Sequence, residues 1–266
     1  YTYLSFDTNG SLINNQVVKK LKKYKVNVNI TLDGPEKIHD YYRVDKYGKG
    51  TFKKVMESLA HLKKAKINTR ISVTVSPLNI ERLQEIFPIF LKYQIKEFTF
   101  IPLTDFALFI LNPKINIKEY REKSAKKIIQ AFKAAKKLGL HEYRLEKKLR
   151  AFREGKFFLT DCGGYGNQIV ILPNGTISNC PATSKYPIGT LDTIDSKFRI
   201  WNTPLIKSWR KRLPIYNPKC LKCKAISICG GGCPWMVDIT TGNIFNRDES
   251  NCVFIKNFFK FLTSTN

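Results

Sequence analysis

The cysteines of this 266-residue chain are the side chains best suited to chemistry, and all seven follow residue 161. Four of them form the spacing C-x2-C-x5-C-x3-C over residues 220–233. Two precede that group with the spacing C-x12-G-x4-C, and one follows it. Thiolates are ligands for soft metal ions and for iron–sulfur clusters, so the set predicts a metal centre. The seven are Cys162, Cys180, Cys220, Cys223, Cys229, Cys233 and Cys252.

Three kinds of thiol chemistry compete for these residues. Disulfides leave one cysteine over, and nothing else in the chain indicates a small secreted scaffold. Zinc takes four nitrogen or sulfur ligands, which leaves three cysteines surplus, and His39, His61 and His141 all lie far upstream. Iron–sulfur clusters take four thiolates each, so the chain offers one complete set and one set of three. The residues favour iron–sulfur clusters, with zinc and purely structural clusters left as alternatives.

The charge and hydropathy of the chain limit its partners. The formal net charge is +25, with lysines spread over nearly every helical segment and no arginine-rich cluster interleaved with aromatics. We therefore expect nucleic acid to be an unlikely partner, and an acidic peptide remains an alternative to simple lysine enrichment. The most apolar run, residues 106–111, is far shorter than the roughly 20 residues of a membrane span. The sequence predicts a soluble protein with no membrane association.

The first part of the chain alternates between short strands and amphipathic helices. This alternation predicts βα units and a parallel sheet, and both an open doubly wound sheet and part of a β/α barrel fit it. The predicted strands are residues 1–6, 26–32, 71–75 and 98–103. The predicted helices between them are residues 15–24, 51–66 and 80–93, the last with Pro88 inside it.

The pattern changes after Leu103. Residues 105–117 are predicted to be irregular, and residues 119–138 and 143–153 are predicted helices. Glycines, turns and short strands such as residues 168–172 follow Thr160. We place a domain boundary near residue 155, which predicts domains of residues 1–155 and 156–266.

The cysteine-rich part resembles the SPASM domain, the C-terminal extension of many radical S-adenosylmethionine (SAM) enzymes. Its cysteine spacing matches that family's signature, residues 173–180 (PNGTISNC) resemble the family's PDGxVxxC hairpin, and residues 188–191 (IGTL) resemble its IGNL segment. The resemblance implies two auxiliary [4Fe–4S] clusters. It assigns Cys220, Cys223, Cys229 and Cys252 to one, and Cys162, Cys180 and Cys233 to the other, whose fourth site is open or filled by a substrate or non-cysteine group.

The first part independently resembles peptide-modifying radical SAM enzymes, especially anaerobic sulfatase-maturating enzymes. Residues 31–52 (TLDGPEKIHDYYRVDKYGKGTF) are similar to that family's SLDGPxxxHDxxRxxxxGxGTF segment. The resemblance implies that the Thr31 hydroxyl and the Arg43 guanidinium bind SAM, with Thr104 also facing the active site at the end of a later strand. It also implies an α/β fold, a partial (β/α)6 barrel that lacks its N-terminal strands, followed by a small α+β SPASM domain.

The chain departs from the family pattern at two places. It has neither the Cx3Cx2C loop that holds the SAM-cleaving cluster nor the GGEP motif of the second strand. We expect both, and hence a third cluster, upstream of Tyr1, so that this chain is a fragment of a larger enzyme. In sulfatase maturases an Asp follows the second cysteine, whereas Pro181 and Ala182 follow Cys180 here.

These observations predict a cytoplasmic radical SAM maturase that crosslinks or oxidises a side chain of a peptide or protein. The expected partners are that substrate, with an acidic leader peptide as one possibility, and an electron donor such as flavodoxin or ferredoxin. A sulfatase-maturating enzyme, a catalytically inactive peptide-binding module and a zinc-stabilised interaction protein remain as alternatives. No catalytic side chain is assigned from the sequence.

Overall fold

The computed structural model describes residues 4–182, 185, 187–195 and 197–264. The chain forms two compact units, which we call the first unit (residues 1–103 and 116–147) and the second unit (residues 104–115 and 148–266). The assignment of residues 1–155 and 156–266 as domains stays a prediction. Within the described part of the chain, no helix combines the length and apolar character needed to cross a bilayer.

The first unit is built on a parallel sheet of five strands in the order β1-β2-β3-β4-β5. A strand order that follows the chain without reversal is that of a β/α barrel, whereas a doubly wound sheet reverses at a switch point. The partial-barrel prediction is therefore confirmed over the open alternative. The strands are β1 (Ser5–Thr8), β2 (Asn27–Thr31), β3 (Thr69–Val75), β4 (Glu97–Pro102) and β5 (His141–Glu142).

Helices connect these strands. The long helices have one buried stripe each, as in α3, where Val55, Leu59 and Leu62 are buried at helical spacing. The helices of the first unit are α1 (Asn15–Lys23), α2 (Glu36–Tyr42), α3 (Phe52–Lys64), α4 (Phe87–Tyr93) and α6 (Ile117–Lys137). Helix α5 (Asp105–Leu111) belongs to the second unit, and the chain passes from the first unit to the second within α7 (Tyr143–Arg153).

The two faces of the sheet differ in chemistry. One face is apolar and buried, with Val28 and Ile30 of β2 beside Ile71 of β3. The other face carries a polar row that crosses four strands, because the register aligns Asp7, Asn29, Arg70 and Glu97. The Asn29 side-chain amide donates to Asp7 Oδ1 over 2.7 Å, and Arg70 pairs with Glu97. Parallel sheets are usually apolar on both faces, so the polar face marks the side of the sheet available for a ligand.

Four helix-to-strand turns of the first unit share one backbone design. In each, a residue with positive φ ends the helix, and the next amide donates to the carbonyl five residues earlier. This is the Schellman arrangement, which satisfies helix carbonyls and sets the direction of the following strand. The positive-φ residues are Lys25, Lys66, Gln94 and Gly139, with φ of 52°, 55°, 59° and 69°.

The second unit consists of short elements around a small core of Tyr165, Cys180 and Trp209. Its sheet is antiparallel in the order β6-β7-β8, formed by β6 (Val170–Ile171), β7 (Thr176–Ser178) and β8 (Pro187–Thr190). Its helices, besides α5 and part of α7, are α8 (Pro204–Arg210), α9 (Pro218–Leu221), α10 (Ile226–Cys229), α11 (Pro234–Thr241) and α12 (Glu249–Ser264).

Two local predictions are wrong. Residues 105–117 were expected to be irregular, but α5 forms there because the Thr104 hydroxyl accepts a hydrogen bond from the Ala107 amide and caps the helix. A single helix over residues 80–93 was also expected. Pro88 instead lies in the first turn of α4, where its missing N–H costs nothing, and a separate 3₁₀ helix, Leu83–Ile86, precedes it.

We expect Gly139→Ala to lower the free energy of unfolding by about 1 kcal/mol, because a Cβ disfavours the left-handed conformation. The site is open, with nothing within 4 Å of an added Cβ, so the cost is purely conformational. Lys66→Ala is the matched control, since Lys66 already has positive φ with a Cβ in place. We expect this variant to change the free energy of unfolding by less than about 0.5 kcal/mol. Urea unfolding measures both, and equal stability of the two variants would contradict the explanation.

Candidate metal centres

Four cysteines line one pocket of the second unit, with a volume of about 500 Å³. Cys220 lies in α9, Cys223 follows that helix, Cys229 ends α10 and Cys252 lies in α12. The Asn217 side chain caps α9 by accepting from the Lys219 amide over 3.0 Å, and the Cys223 amide donates to the Cys220 carbonyl over 2.9 Å. These local bonds direct the Cys220 and Cys223 thiols into the same pocket. We call this group the four-cysteine set.

The remaining cysteines, Cys162, Cys180 and Cys233, form a second group, which we call the three-cysteine set. Cys162 and Cys180 belong to the same small core as Tyr165 and Trp209. Burial raises the pKa of the Cys233 thiol to about 12, and the nearby Cys162 and Cys180 thiols add to that increase. Cys233 therefore lies close enough to both partners for their charges to interact.

Electrostatic neighbours separate the two sets. Burial, followed by the neighbouring Cys229, raises the pKa of Cys252 to about 12. Cys229 in turn interacts with Cys220, and Cys220 with Cys223. The structure thus brings the seven cysteines together as four and three, the division that the family resemblance implies. Ligation by each set stays a prediction.

The thiols of both sets are the ligand type that iron–sulfur clusters take. Among the described residues, no group of three or more His, Cys, Asp or Glu side chains is arranged to hold one metal ion. A zinc ion requires its sulfur ligands at about 2.3 Å from one point, whereas a cluster spaces its thiolates around a larger core. Burial raises the pKa of thiols in both sets, as at Cys162 and Cys229, so metal binding must displace their protons.

The three glycines between Cys229 and Cys233 have a role that the sequence did not identify. Gly230, Gly231 and Gly232 have φ of 67°, 79° and 71°, which favours glycine. A Cβ on Gly230 would lie 2.5 Å from the Asp161 amide nitrogen, and one on Gly232 would lie 2.5 Å from the Asp248 carboxylate. The protein's own packing therefore requires these glycines, whether or not a cluster approaches their backbone.

Lys148 is a buried cation at the four-cysteine set. It is 0% exposed, and its ammonium donates to the carbonyls of Ile228 and Cys229, each over 3.2 Å. It also pairs with Asp161 Oδ2 at 3.1 Å and lies 4.5 Å from the Phe158 ring centroid. A buried ammonium requires such compensation. The sequence contains a signal for this burial that the sequence analysis did not use. Lys148 lies on the same face of the helix as Leu145 and Leu149, which are both buried.

A buried guanidinium acts on both sets. Arg212 donates to the Ile244 carbonyl over 2.6 Å and to the Tyr165 hydroxyl. Its charge favours the thiolate of Cys162 in one set and of Cys220 in the other. Burial raises the pKa of Tyr165 to about 12 despite the nearby Arg212, so the phenol stays protonated at neutral pH.

The predicted SAM contacts of the first unit lie at the carboxyl ends of β2 and β3. Arg43 donates to Asp33 Oδ2 over 2.8 Å and to the Thr74 hydroxyl over 3.0 Å. Asp33 Oδ1 accepts from the Thr74 amide over 2.8 Å, so both strand ends hold this guanidinium in place. Among the described residues no partner hydrogen-bonds the Thr31 hydroxyl. A held cation and a hydroxyl at this edge suit a ligand carboxylate.

His39 supports this segment. Its Nδ1 accepts from the Asp33 amide over 3.3 Å and its Nε2 lies 3.1 Å from the Thr51 hydroxyl. Burial lowers the pKa of His39, so the ring is neutral at pH 7. These contacts place His39 as a brace between Asp33 and Thr51.

Thr104 has a different environment from Thr31 and Arg43. It belongs to the second unit, and its hydroxyl accepts from the Ala107 amide over 3.1 Å as the cap of α5. Its assignment as a SAM contact, like those of Thr31 and Arg43, stays a prediction.

Comparison with known proteins agrees with this architecture. Residues 1–87 match the radical SAM superfamily, and residues 162–224 match the iron–sulfur cluster-binding domain SPASM. The chain therefore contains segments similar to both domains of the radical SAM proteins that carry a SPASM domain. The cofactors of this class are [4Fe–4S] clusters and SAM.

Curated relatives cover nearly all of the chain. It is 27% identical to a cysteine-type anaerobic sulfatase-maturating enzyme of Clostridium novyi, over 97% of this chain and 70% of that protein. It is 27% identical to the corresponding enzyme of Clostridium perfringens over 87% of the chain and 64% of the relative. It is 25% identical to the radical SAM cyclopropyl synthase TigE of Paramaledivibacter caminithermalis, over 95% and 52%. The chain therefore spans between half and 70% of the length of these relatives.

Solved structures share the fold. The structure of anSMEcpe with bound AdoMet and the Kp18Cys peptide superposes with a TM-score of 0.77 at 24% identity, covering 99% of this chain and 75% of that one. Streptococcus suis SuiB bound to its precursor peptide SuiA gives a TM-score of 0.51 at 17% identity, over 92% and 58%. At these identities the likeness establishes the fold.

We expect Lys148→Met to lower the free energy of unfolding by about 3 kcal/mol, because it leaves the Asp161 carboxylate buried without its cation. Lys147→Met is the matched control on the same helix, where the exposed side chain predicts a change below about 0.5 kcal/mol. Urea unfolding of the cluster-loaded protein measures both. The double variant Lys148→Met with Asp161→Asn should recover part of the loss, and equal effects of the two lysine variants would contradict the role of the ion pair.

Proposed function

We propose that the protein carrying this sequence is a radical SAM maturase that modifies a side chain of a peptide or protein. The observation that carries the proposal is the spatial division of the seven cysteines into sets of four and three, in a chain that matches both family domains. The four-cysteine set holds one auxiliary [4Fe–4S] cluster and the three-cysteine set holds another. The Cx3Cx2C segment that would hold a SAM-cleaving cluster is not among the residues of this chain.

When bound, SAM and its cluster would supply radical chemistry for removing a hydrogen atom from the substrate, and auxiliary clusters held by the two cysteine sets would supply an electron acceptor or a substrate ligand. The residues of this chain prepare the sites for these groups. Arg43, held by Asp33 and Thr74, presents a fixed cation for the SAM carboxylate, and the Thr31 hydroxyl lies at the same strand edge. Lys148 and Arg212 place positive charge beside the thiolates and so offset the charge that the clusters bring into the second unit.

The substrate is proposed from chemistry and from the relatives. The similarity to sulfatase-maturating enzymes, which act on a protein, supports a peptide or protein substrate. Pro181 and Ala182 occupy the positions after Cys180, where sulfatase maturases have an Asp. This difference favours crosslinking or another oxidation over formylglycine formation. Sulfatase maturation is the second candidate, favoured by the identity to the clostridial enzymes.

The proposed partners follow from the same reaction. An acidic leader peptide suits a chain with a net charge of +25. A flavodoxin or ferredoxin supplies electrons for SAM cleavage, and the cytoplasm is the compartment where both occur. The rival is a catalytically inactive peptide-binding module, and the gene sequence upstream of Tyr1 separates the two. A Cx3Cx2C segment there supports the enzyme, and a start codon without that segment supports the module.

Anaerobic reconstitution should load the chain with about eight iron and eight sulfide ions, the content of two [4Fe–4S] clusters. The reason is that seven thiolates in two groups provide ligands for both. Chemical iron and sulfide analysis measures the content, and ultraviolet–visible absorbance shows the clusters. Stoichiometric zinc without sulfide would overturn the proposal in favour of a zinc-stabilised protein.

Single substitutions should remove the clusters one at a time. We expect Cys252→Ala to lower the iron content by about half, and Cys180→Ala to do the same, because each removes a thiolate from a different set. Electron paramagnetic resonance of the reduced proteins should show a different surviving signal in each variant. The surviving cluster also reports that the second unit has folded. Identical remaining signals in the two variants would contradict the assignment of Cys252 and Cys180 to separate clusters.

A further inference from the structure

The mouth of the four-cysteine pocket is surrounded by positive charge. Five exposed lysines line the same pocket as the four thiols, and we call them the lysine rim. A sixth cation on the pocket, Arg247, pairs with Glu249 at 2.7 Å. No acidic side chain in the described part of the chain forms an ion pair with a lysine of the rim. The rim consists of Lys219, Lys222, Lys224, Lys256 and Lys260.

Lysines without an ion pair also occur elsewhere in the described part of the chain, as at Lys19, Lys20 and Lys64, and others pair with carboxylates, as where Lys123 and Lys127 both pair with Glu81. Three acidic residues lie between residues 214 and 264, and each has another partner. Asp238 pairs with Lys185, Asp248 accepts from the Cys233 and Asn251 amides, and Glu249 pairs with Arg247. The rim differs from other lysine-rich surfaces in its position, because its lysines line the pocket that contains the four thiols.

The pocket beneath the rim opens to the surface. All four of its cysteines are partly exposed. The pocket also has an apolar lining, which includes Ile255 and Phe259. A macromolecule that covers the rim therefore comes close to the thiols themselves.

We propose that the lysine rim is the docking surface for an acidic one-electron carrier protein of the flavodoxin or ferredoxin type. This inference rests on the proposed function, because it requires a cluster on the four-cysteine set. In the exchange, the reduced cluster loses one electron and the oxidised carrier gains it, and no bond is formed or broken. Binding through exposed charges accelerates encounter and weakens as salt is added.

A carrier fits these observations better than an acidic leader peptide. Both are attracted by five unpaired lysines, but recognition of a peptide needs no redox group at the centre of its surface. The rim surrounds the pocket that contains the four thiols, and an electron carrier must approach that group closely. Charge complementarity and the position of the thiols therefore select the same occupant.

The test uses the complete cluster-loaded protein and an acidic flavodoxin as the probe. The anaerobically reduced protein is mixed with oxidised flavodoxin in a stopped-flow instrument, and flavin reduction is followed over a range of salt concentrations. The rim variant is Lys224→Glu, Lys256→Glu and Lys260→Glu combined. The matched control is Lys19→Glu, Lys20→Glu and Lys64→Glu, which makes the same charge change on exposed lysines of the first unit.

At low salt we expect the rim variant to lower the second-order rate constant about 10-fold or more, and the control to lower it much less. The difference should shrink as ionic strength rises. Equal slowing by the two triple variants, or no slowing by the rim variant, would overturn the proposal. Loss of binding to a polyglutamate peptide with an unchanged flavodoxin rate would also overturn it and assign the rim to an acidic peptide.

Iron and sulfide analysis separates this inference from the proposed function. Wild-type protein without clusters defeats the proposed function, and with it the docking surface. Wild-type protein with clusters and a rim-independent rate defeats the docking surface alone. If the rim variant loses iron, the milder combination Lys224→Gln, Lys256→Gln and Lys260→Gln is used at full iron content, with an intermediate loss of rate expected.

Discussion

The second unit depends on bonds that its secondary structure cannot provide. Helices α9 and α10 have four residues each and strand β6 has two, lengths at which neither helices nor strands persist unaided. Cys220, Cys223 and Cys229 lie in or beside α9 and α10, so thiolate–iron bonds would join these short helices to Cys252 in the 16-residue α12. The free energy of cluster binding is then also folding energy. Cluster binding is also coupled to deprotonation. Burial raises the pKa of Cys233 and Cys252, so these thiols must lose their protons when a cluster binds.

Buried cations are the counterpart of the thiols. Lys148 and Arg212 are both buried, and each has carbonyl or hydroxyl partners that hold it beside a cysteine. Their permanent charge lowers the energy of thiolates that burial alone would keep protonated. The first unit solves a related problem differently, because Arg43 is fixed by Asp33 and Thr74 but remains partly exposed for a ligand. One unit uses cations for internal compensation and the other presents one outward.

Sequence periodicity predicted the elements of the first unit but not their arrangement. Alternating strands and helices were evident, yet strand order, which distinguishes a barrel from a doubly wound sheet, leaves no trace in periodicity. Strand β5 was missed because two residues carry no alternation, and α5 because its uniformly apolar run has no polar face. The cysteine sets were predicted from family spacing rather than from physics. The burial of Lys148 was missed because exposed lysines surround it in the sequence. Its position on the same helical face as the buried Leu145 and Leu149 was therefore overlooked.

The repeated turns at Lys25, Lys66, Gln94 and Gly139 all lie at one edge of the parallel sheet. They lie where strands begin, whereas Thr31 and the Arg43 network lie where strands end. In β/α barrels the first edge serves stability and the second serves chemistry. Each of these helix-to-strand turns of the first unit thus uses the same Schellman arrangement, which accepts lysine, glutamine or glycine. Such an edge tolerates variation in sequence, and it offers positions for spectroscopic labels that report on the barrel without disturbing its ligands.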